Sequence, residues 1–168
     1  MGSWTETGSS SLASIARDTS TLSDAREEMQ SLVETIWRLR QPDGCPWDRK
    51  QTHESIGKNM IEEAYEALDC IEAGDEAHLR EELGDVLMQV VLHAQIAADA
   101  GAFTMADVAR DINDKLIRRH PHVFGERSAD SADEVLAIWD SVKLAEKGAK
   151  DADAAEAGDR PEGLLEGV

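Results

Sequence analysis

"EEAYEALDCIEAGDEAHLREELGD", residues 62–85, reads as two helices joined by one tight turn. Gly74–Asp75 supplies the turn, the glycine for its backbone freedom and the aspartate as N-cap of the following helix. The preceding helix is predicted over about 56–73, with Ile61, Ala64, Leu68 and Ile71 on its core stripe. The following helix carries "LGDVLMQVVLHAQIAADAG", apolar on nearly every side, as suits an element central to its bundle. It ends near Gly101. So short a turn makes the two helices antiparallel neighbours. Glu63 and Glu66 are i and i+3 on the first helix, Glu82 and Asp85 on the second, so each pair shares a helix face. Glu62, four residues before Glu66, joins from the side. Gly84 stands between Glu82 and Asp85 although it costs roughly 1 kcal/mol against Ala in a helix interior. Its missing side chain leaves room for a close helix contact or a ligand.

Outward from this hairpin the punctuation continues. A first helix starts after Ser23 as N-cap, with Met29, Leu32, Val33, Ile36, Trp37 and Leu39 at helical spacing, and stops before the loop "QPDGCPWD". Thr104 caps a fourth helix with Met105, Val108, Ile112 and Leu116 inward, ended by His120–Pro121. Ser131 and Glu134 form a capping-box pattern for a fifth helix, which reaches about Lys147 before Gly148. Residues 1–22 and 148–168 read as disordered tails, the second acidic, around one domain at 23–147. No strand pattern stands out. The fold class expected is all-α, a helical bundle of about five helices.

Composition agrees. The 168 residues suffice for one cored domain, and with 41% apolar and only 4% aromatic residues the chain favours helix formers. A formal net charge of −18 repels phosphate backbones and anionic lipid, which argues against nucleic-acid or membrane-surface partners. Cys45 and Cys70 form no C-x-x-C pair and are read as reduced thiols, which with the lack of a signal-like N-terminus makes the cytoplasm the expected compartment. No apolar run approaches the roughly 20 residues of a membrane span.

Two readings of the carboxylates compete. One is a solvated acidic face. The other is a metal site: the apolar residues Ile61, Ala64, Val86 and Met88 flank the acids, and few Lys or Arg lie at i+4 to neutralise them. Converging carboxylates push each other's pKa up, and a hard divalent cation such as Mg²⁺ relieves the conflict. Rival metal chemistries lack their decisive ligand. Di-iron bundles use Glu-x-x-His, which the chain does not contain, and the zinc-protease pattern H-E-x-x-H fails at Gly57 in "HESIG".

Five ordered stretches carry a family resemblance: "GCPWDRKQTHESI" (44–56), "EEAYEALD" (62–69), "ELGDVLMQVVLHAQ" (82–95), "KLIRRHPHVFGE" (115–126) and "SADEVLAIWDSVK" (131–143). Over about 24–147 the chain resembles the MazG-type nucleoside triphosphate pyrophosphohydrolases of the all-α pyrophosphatase superfamily. The carboxylate pairs alone are shared with dimeric dUTPases and phosphoribosyl-ATP pyrophosphohydrolases; "CPWD" and "RRHPHVF" tip the resemblance toward MazG. It implies hydrolysis of (deoxy)nucleoside triphosphates to a monophosphate and pyrophosphate, in nucleotide-pool housecleaning. It also implies Mg²⁺, with Mn²⁺ as substitute, held by Glu63, Glu66, Glu82 and Asp85. Glu62 is then a ligand or the water-activating base. A homodimer completing the site is implied as well.

The remaining site candidates have two readings each. Lys115, Arg118 and Arg119 at the end of the fourth helix either complement its dipole or, as the resemblance implies for Lys115 and Arg119, contact phosphates. Trp139, i−4 to Lys143, is core or, by family position, near the nucleotide with Lys143. Trp47 reads as a packing anchor of its loop. His53 reads as a phosphate contact or as a capping and structural residue. Asp85, Gln89 and His93 form an i, i+4, i+8 stripe, the last two read as support behind the ligands. The end "EGLLEGV" (162–168) resembles the start of a segment that continues in longer family members, so the chain is either a catalytic domain cut from a longer protein or a short form. The alternatives to the hydrolase are a helical nucleotide- or protein-binding module without turnover, and a relative specialised for dCTP, dUTP or phosphoribosyl-ATP.

Overall fold

The computed structural model describes residues 19–157, with side chains for 21–148; the larger parts of both expected tails lie outside these bounds. Six α-helices and one 3₁₀ turn account for the regular structure, and no strand occurs among the described residues. They are α1 (Thr19–Leu39), the 3₁₀ turn Asp48–Lys50, α2 (His53–Ala73), α3 (Glu76–Asp99), α4 (Met105–Arg119), α5 (Pro121–Phe124) and α6 (Ala132–Ala157). The all-α expectation holds. The chain divides into two compact units, one ending at Asp107 and one beginning at Val108.

In the first unit α3 is central and packs on both α1 and α2. Ile36 of α1, Ile56 of α2, and Val91, Leu92 and Ile96 of α3 form the buried cluster, with Met29, Leu32, Val33, Leu39, Met88 and Met105 against it. The hairpin closes as its sequence requires. Gly74 sits in the left-handed region at φ 70°, the amide of Asp75 bonds back to Cys70 O at 2.9 Å, and the Asp75 carboxylate accepts from the His78 amide. Thr52 and Ser55 form a reciprocal capping box, so α2 begins at His53, three residues before the predicted start.

The predicted core stripe of α2 is the main correction. Ile61, Leu68 and Ile71 are 57%, 43% and 48% exposed, and Ala64 is exposed too. The covered side runs instead through Ile56, Met60, Glu63, Ala67 and Cys70, at i, i+4, i+7, i+11 and i+14. The helix carries apolar residues on two faces, and the periodicity alone selected the uncovered one. Several smaller corrections accompany it. α1 starts at Thr19, ahead of Ser23, whose hydroxyl bonds Glu27. Ile112 and Leu116 of α4 are each 47% exposed rather than inward. α6 passes through Gly148 to Ala157, since one helical glycine costs only about 1 kcal/mol. A Cβ on Gly84 would meet nothing within 4 Å, so no close helix contact requires that glycine.

The loop after α1 is organised by arginines and one close approach. Trp47, expected as its anchor, is 58% exposed. A Cβ on Gly44 would lie 2.3 Å from Leu39 O, so only glycine fits where the chain folds back on the end of α1. The Arg40 side chain is 8% exposed; it pairs with Asp99 at 2.6 Å and donates to the Asp48 and Gln51 carbonyls. Arg40 thus ties the end of α1, the loop and the end of α3 together.

The second unit holds α4 from Val108, α5 and α6. Arg118 and Arg119 both engage Glu146 of α6, and the His120 ring meets Trp139 edge-on at 5.0 Å. None of its described side chains is fully buried.

Replacing Arg40 by Met should cost about 3 kcal/mol, because it strips Asp99 and two carbonyls of their partner. Denaturant unfolding monitored by helicity checks this; a loss below about 1 kcal/mol, the range of surface pairs, would show that Arg40 does not brace the loop.

Candidate active site

Glu63 lies on the covered stripe of α2, which turns its carboxylate toward α3. Carboxylate oxygens of Glu63, Glu66 and Glu82 lie within 4.8 Å of one another. Asp85 stands outside that three-residue set but close enough to act on both Glu63 and Glu82. Glu62 is exposed at the side and adds to the repulsion on Glu63. Burial, then Asp85 and Glu66, push the Glu63 carboxyl above the usual glutamate range, while a Gln89 hydrogen bond pulls it back in part. Burial, then Glu66 and Asp85, raise Glu82 likewise. Glu63 and Glu82 are therefore costly to ionise in the absence of a cation.

The donor set fits a hard divalent ion. Oxygens about 2.1 Å from Mg²⁺ stand roughly 3–4 Å from one another, so groups already within 4.8 Å close on a cation by small side-chain rotations. All three donors are carboxylates, which suits Mg²⁺ or Mn²⁺ and not a thiolate- or imidazole-seeking metal.

Behind the acids lies polar support that sequence spacing only partly showed. Gln89 is 3% exposed; its amide serves Glu63 while its Oε1 has no partner among the described residues. One turn further, His93 meets His53 edge to edge, the two rings coplanar to within 1°, with centroids 5.1 Å apart and the two Nδ1 atoms at 2.8 Å. One Nδ1–H must donate to the other ring's bare nitrogen. Burial, then the His53 charge, hold His93 below the ordinary imidazole range. His53 therefore lies with His93, across 40 positions of sequence. The stripe Asp85–Gln89–His93 was visible in the sequence, but its partner on α2 was not. A cavity of about 500 Å³ in the same unit is lined by Val33, Trp37, Val91, Gln95, Asp99 and Met105, and by none of Glu63, Glu66, Glu82 and Asp85.

In the second unit Lys115 and Lys143 are exposed, and Trp139 is 38% exposed with its edge contact to His120. Arg118 and Arg119 converge on Glu146, which no spacing rule had picked out.

An antiparallel helical hairpin with three converging carboxylates defines an all-α protein with a candidate divalent-cation site. Residues 51–124 match the family model described as the MazG nucleotide pyrophosphohydrolase domain. The chain is 52% identical over 124 residues to the nucleoside triphosphate pyrophosphohydrolase/pyrophosphatase MazG of Thermotoga maritima, covering 74% of this chain and 46% of that protein. It is 47% identical over 124 residues to the nucleoside triphosphate pyrophosphohydrolase of Escherichia coli K12, covering 73% and 47%. The crystal structure of a mazG-related protein from Thermotoga maritima superposes with a TM-score of 0.57 at 26% identity, covering 70% of this chain and 98% of that one. Over residues 51–124 the chain carries a MazG nucleotide pyrophosphohydrolase domain. It spans less than half the length of the curated relatives it matches.

Glu82 has a folded-state pKa above its unfolded value, so its ionised form opposes folding at neutral pH and its protonated form does not. In chelator, Glu82→Gln should therefore melt higher than the parent at pH 7.5. The gap should shrink as pH falls through the raised value and close near about pH 4, below the ordinary glutamate pKa. Calorimetric melts check this; a variant less stable at pH 7.5 would mean that the acids do not repel.

Proposed function

We propose that this chain is a nucleoside triphosphate pyrophosphohydrolase dependent on Mg²⁺, cleaving (deoxy)nucleoside triphosphates between the α and β phosphates into monophosphate and pyrophosphate. The observation that carries the reading is the convergence of Glu63, Glu66 and Glu82 within 4.8 Å on a hairpin inside the matched domain. The names of the relatives, nucleoside triphosphate pyrophosphohydrolases, support it.

Glu63, Glu66, Glu82 and Asp85 would hold Mg²⁺, or Mn²⁺ in its place. A bound divalent cation supplies a Lewis acid for the phosphates and lowers the pKa of water. Gln89 fixes the orientation of Glu63 through its amide. Glu62, exposed beside the set, is free to accept a proton from the attacking water. Lys115, Arg118 and Arg119 supply the cations for a phosphate chain, and Trp139 and Lys143 serve the nucleotide. His53, hydrogen-bonded edge to edge with His93, is better suited to bracing α2 against α3 than to touching phosphate. No helix among the described residues is long and apolar enough to cross a membrane, and the cytoplasm suits a free-nucleotide substrate. The net charge of −18 disfavours nucleic acid.

A homodimer belongs to the same reading. Ile61, Tyr65 and Leu68 form an exposed apolar stripe at i, i+4 and i+7 on α2, and Leu83 and Leu87 repeat it on α3. A second copy would cover this surface. Leu68→Glu should shift the mass measured by light scattering from two chains to one; an unchanged mass would place any interface elsewhere.

Incubation with Mg²⁺ and a panel of ribo- and deoxynucleoside triphosphates should give monophosphate and pyrophosphate, abolished by chelation. Glu66→Gln should lower kcat by at least about a hundredfold with helicity intact, as expected when a metal ligand is lost. Diphosphate with orthophosphate would contradict the cleavage position, and no product from the parent would favour a binding module. A narrow preference would instead indicate a relative specialised for one substrate such as dCTP, dUTP or phosphoribosyl-ATP.

A further inference from the structure

Neighbouring residues on a helix point about 100° apart, so Arg118 and Arg119 at the end of α4 would ordinarily diverge. They converge because both engage one carboxylate. Arg118 donates through Nε and Nη2 to Glu146 Oε1 at 3.2 and 3.0 Å, and Arg119 through Nε and Nη2 to Oε2 at 3.1 and 2.7 Å. Each guanidinium thus commits one edge to Glu146 and keeps its Nη1 amino group, with two N–H donors, for another acceptor. The cluster is partly sheltered: the Glu146 and Arg119 side chains are 21% and 23% exposed, Arg118 57%. Two cations against one anion leave a local charge of about +1 in a chain of net charge −18. The Arg119 hydrogen bond, and next that of Arg118, hold the Glu146 carboxyl below the usual glutamate range, so it stays ionised at neutral pH.

We propose that Glu146 is a positioning residue that clamps Arg118 and Arg119 into one paired fork for the oxygens of a phosphate chain. This rests on the pyrophosphohydrolase reading for the identity of the ligand. It assigns to α6 a part in substrate recognition that the basic residues of α4 alone do not explain. A guanidinium already fixed by a carboxylate loses less conformational freedom when it takes up a phosphate, so the clamp lowers the cost of binding. Glu146 touches no reacting atom; its effect falls on affinity.

Charge and geometry separate with two variants. Glu146→Asp keeps the charge but is one methylene shorter, too short to span both guanidiniums at hydrogen-bond distance. Glu146→Gln keeps the length but removes the charge. Binding of inorganic tripolyphosphate is read by calorimetry, and KM and kcat by pyrophosphate release from nucleoside triphosphate. Glu146→Asp should weaken tripolyphosphate binding and raise KM by about tenfold each, with kcat within about threefold of the parent and unchanged helicity. Glu146→Gln should also bind more weakly. Binding by Glu146→Asp equal to the parent's, or tighter binding by Glu146→Gln, would overturn the clamp, the second showing Glu146 to be a competitor for the arginines. A parent that fails to bind tripolyphosphate overturns it as well. A parent that binds tripolyphosphate but releases no pyrophosphate would remove the hydrolase reading, and the calorimetry would still decide the role of Glu146.

Discussion

Like charges repel, and the first unit is built around a place where they are made to converge. Glu63 occupies a position on the covered stripe of α2 that a hydrophobe would ordinarily fill, and Glu66 and Glu82 complete a set within 4.8 Å. Nothing in the carboxylates themselves favours that arrangement; it raises both Glu63 and Glu82 above their ordinary range. It persists because the hairpin leaves the two helices no other register. Gly74 adopts a conformation that L side chains rarely tolerate, Asp75 caps the return helix, and Ile56, Val91 and Leu92 lock the helices below the acids. Burying each such side chain contributes about 1.5–3 kcal/mol, enough to offset moderate repulsion among half-exposed acids.

The same constraint explains the polar groups placed behind the site. A buried glutamine in an apolar helix is costly unless it serves a partner, and Gln89 serves Glu63. The His53–His93 hydrogen bond ties the first residue of α2 to α3 one turn beyond, and Arg40 ties the loop before α2 to the end of α3. Each contact limits how far α2 can move from α3 when the acids repel. The second unit shows the opposite sign: two arginines gathered on one glutamate, net positive where the hairpin is negative.

Much of this was legible because it is local. The Gly74–Asp75 turn, the i, i+3 acid pairs, the Thr104 cap and the all-helical class depend on residues within a turn or two of each other. Which face of α2 is covered was not legible, because Ile61, Leu68 and Ile71 mimic a core stripe while Ile56 and Ala67 occupy the real one. Glu63 on that stripe argued against itself: a charged residue is the last that periodicity would place inward. Contacts across long separations, His53 with His93 and Arg40 with Asp99, leave no local pattern. Trp47 was read by residue type, yet the loop is held by Arg40 and by a backbone approach that Gly44 alone permits.

The central claim is that the converging acids exist to hold a hard divalent cation. Mn²⁺ is the most direct probe, because its paramagnetic resonance signal distinguishes free from bound ion. Titrated into the metal-free protein, Mn²⁺ should bind, be displaced by Mg²⁺, and lose its site when Glu63, Glu66 and Glu82 are together replaced by Gln in a chain of unchanged helicity. Equal Mn²⁺ binding by that triple variant, or none by the parent, would mean that the hairpin concentrates its charge for some other purpose.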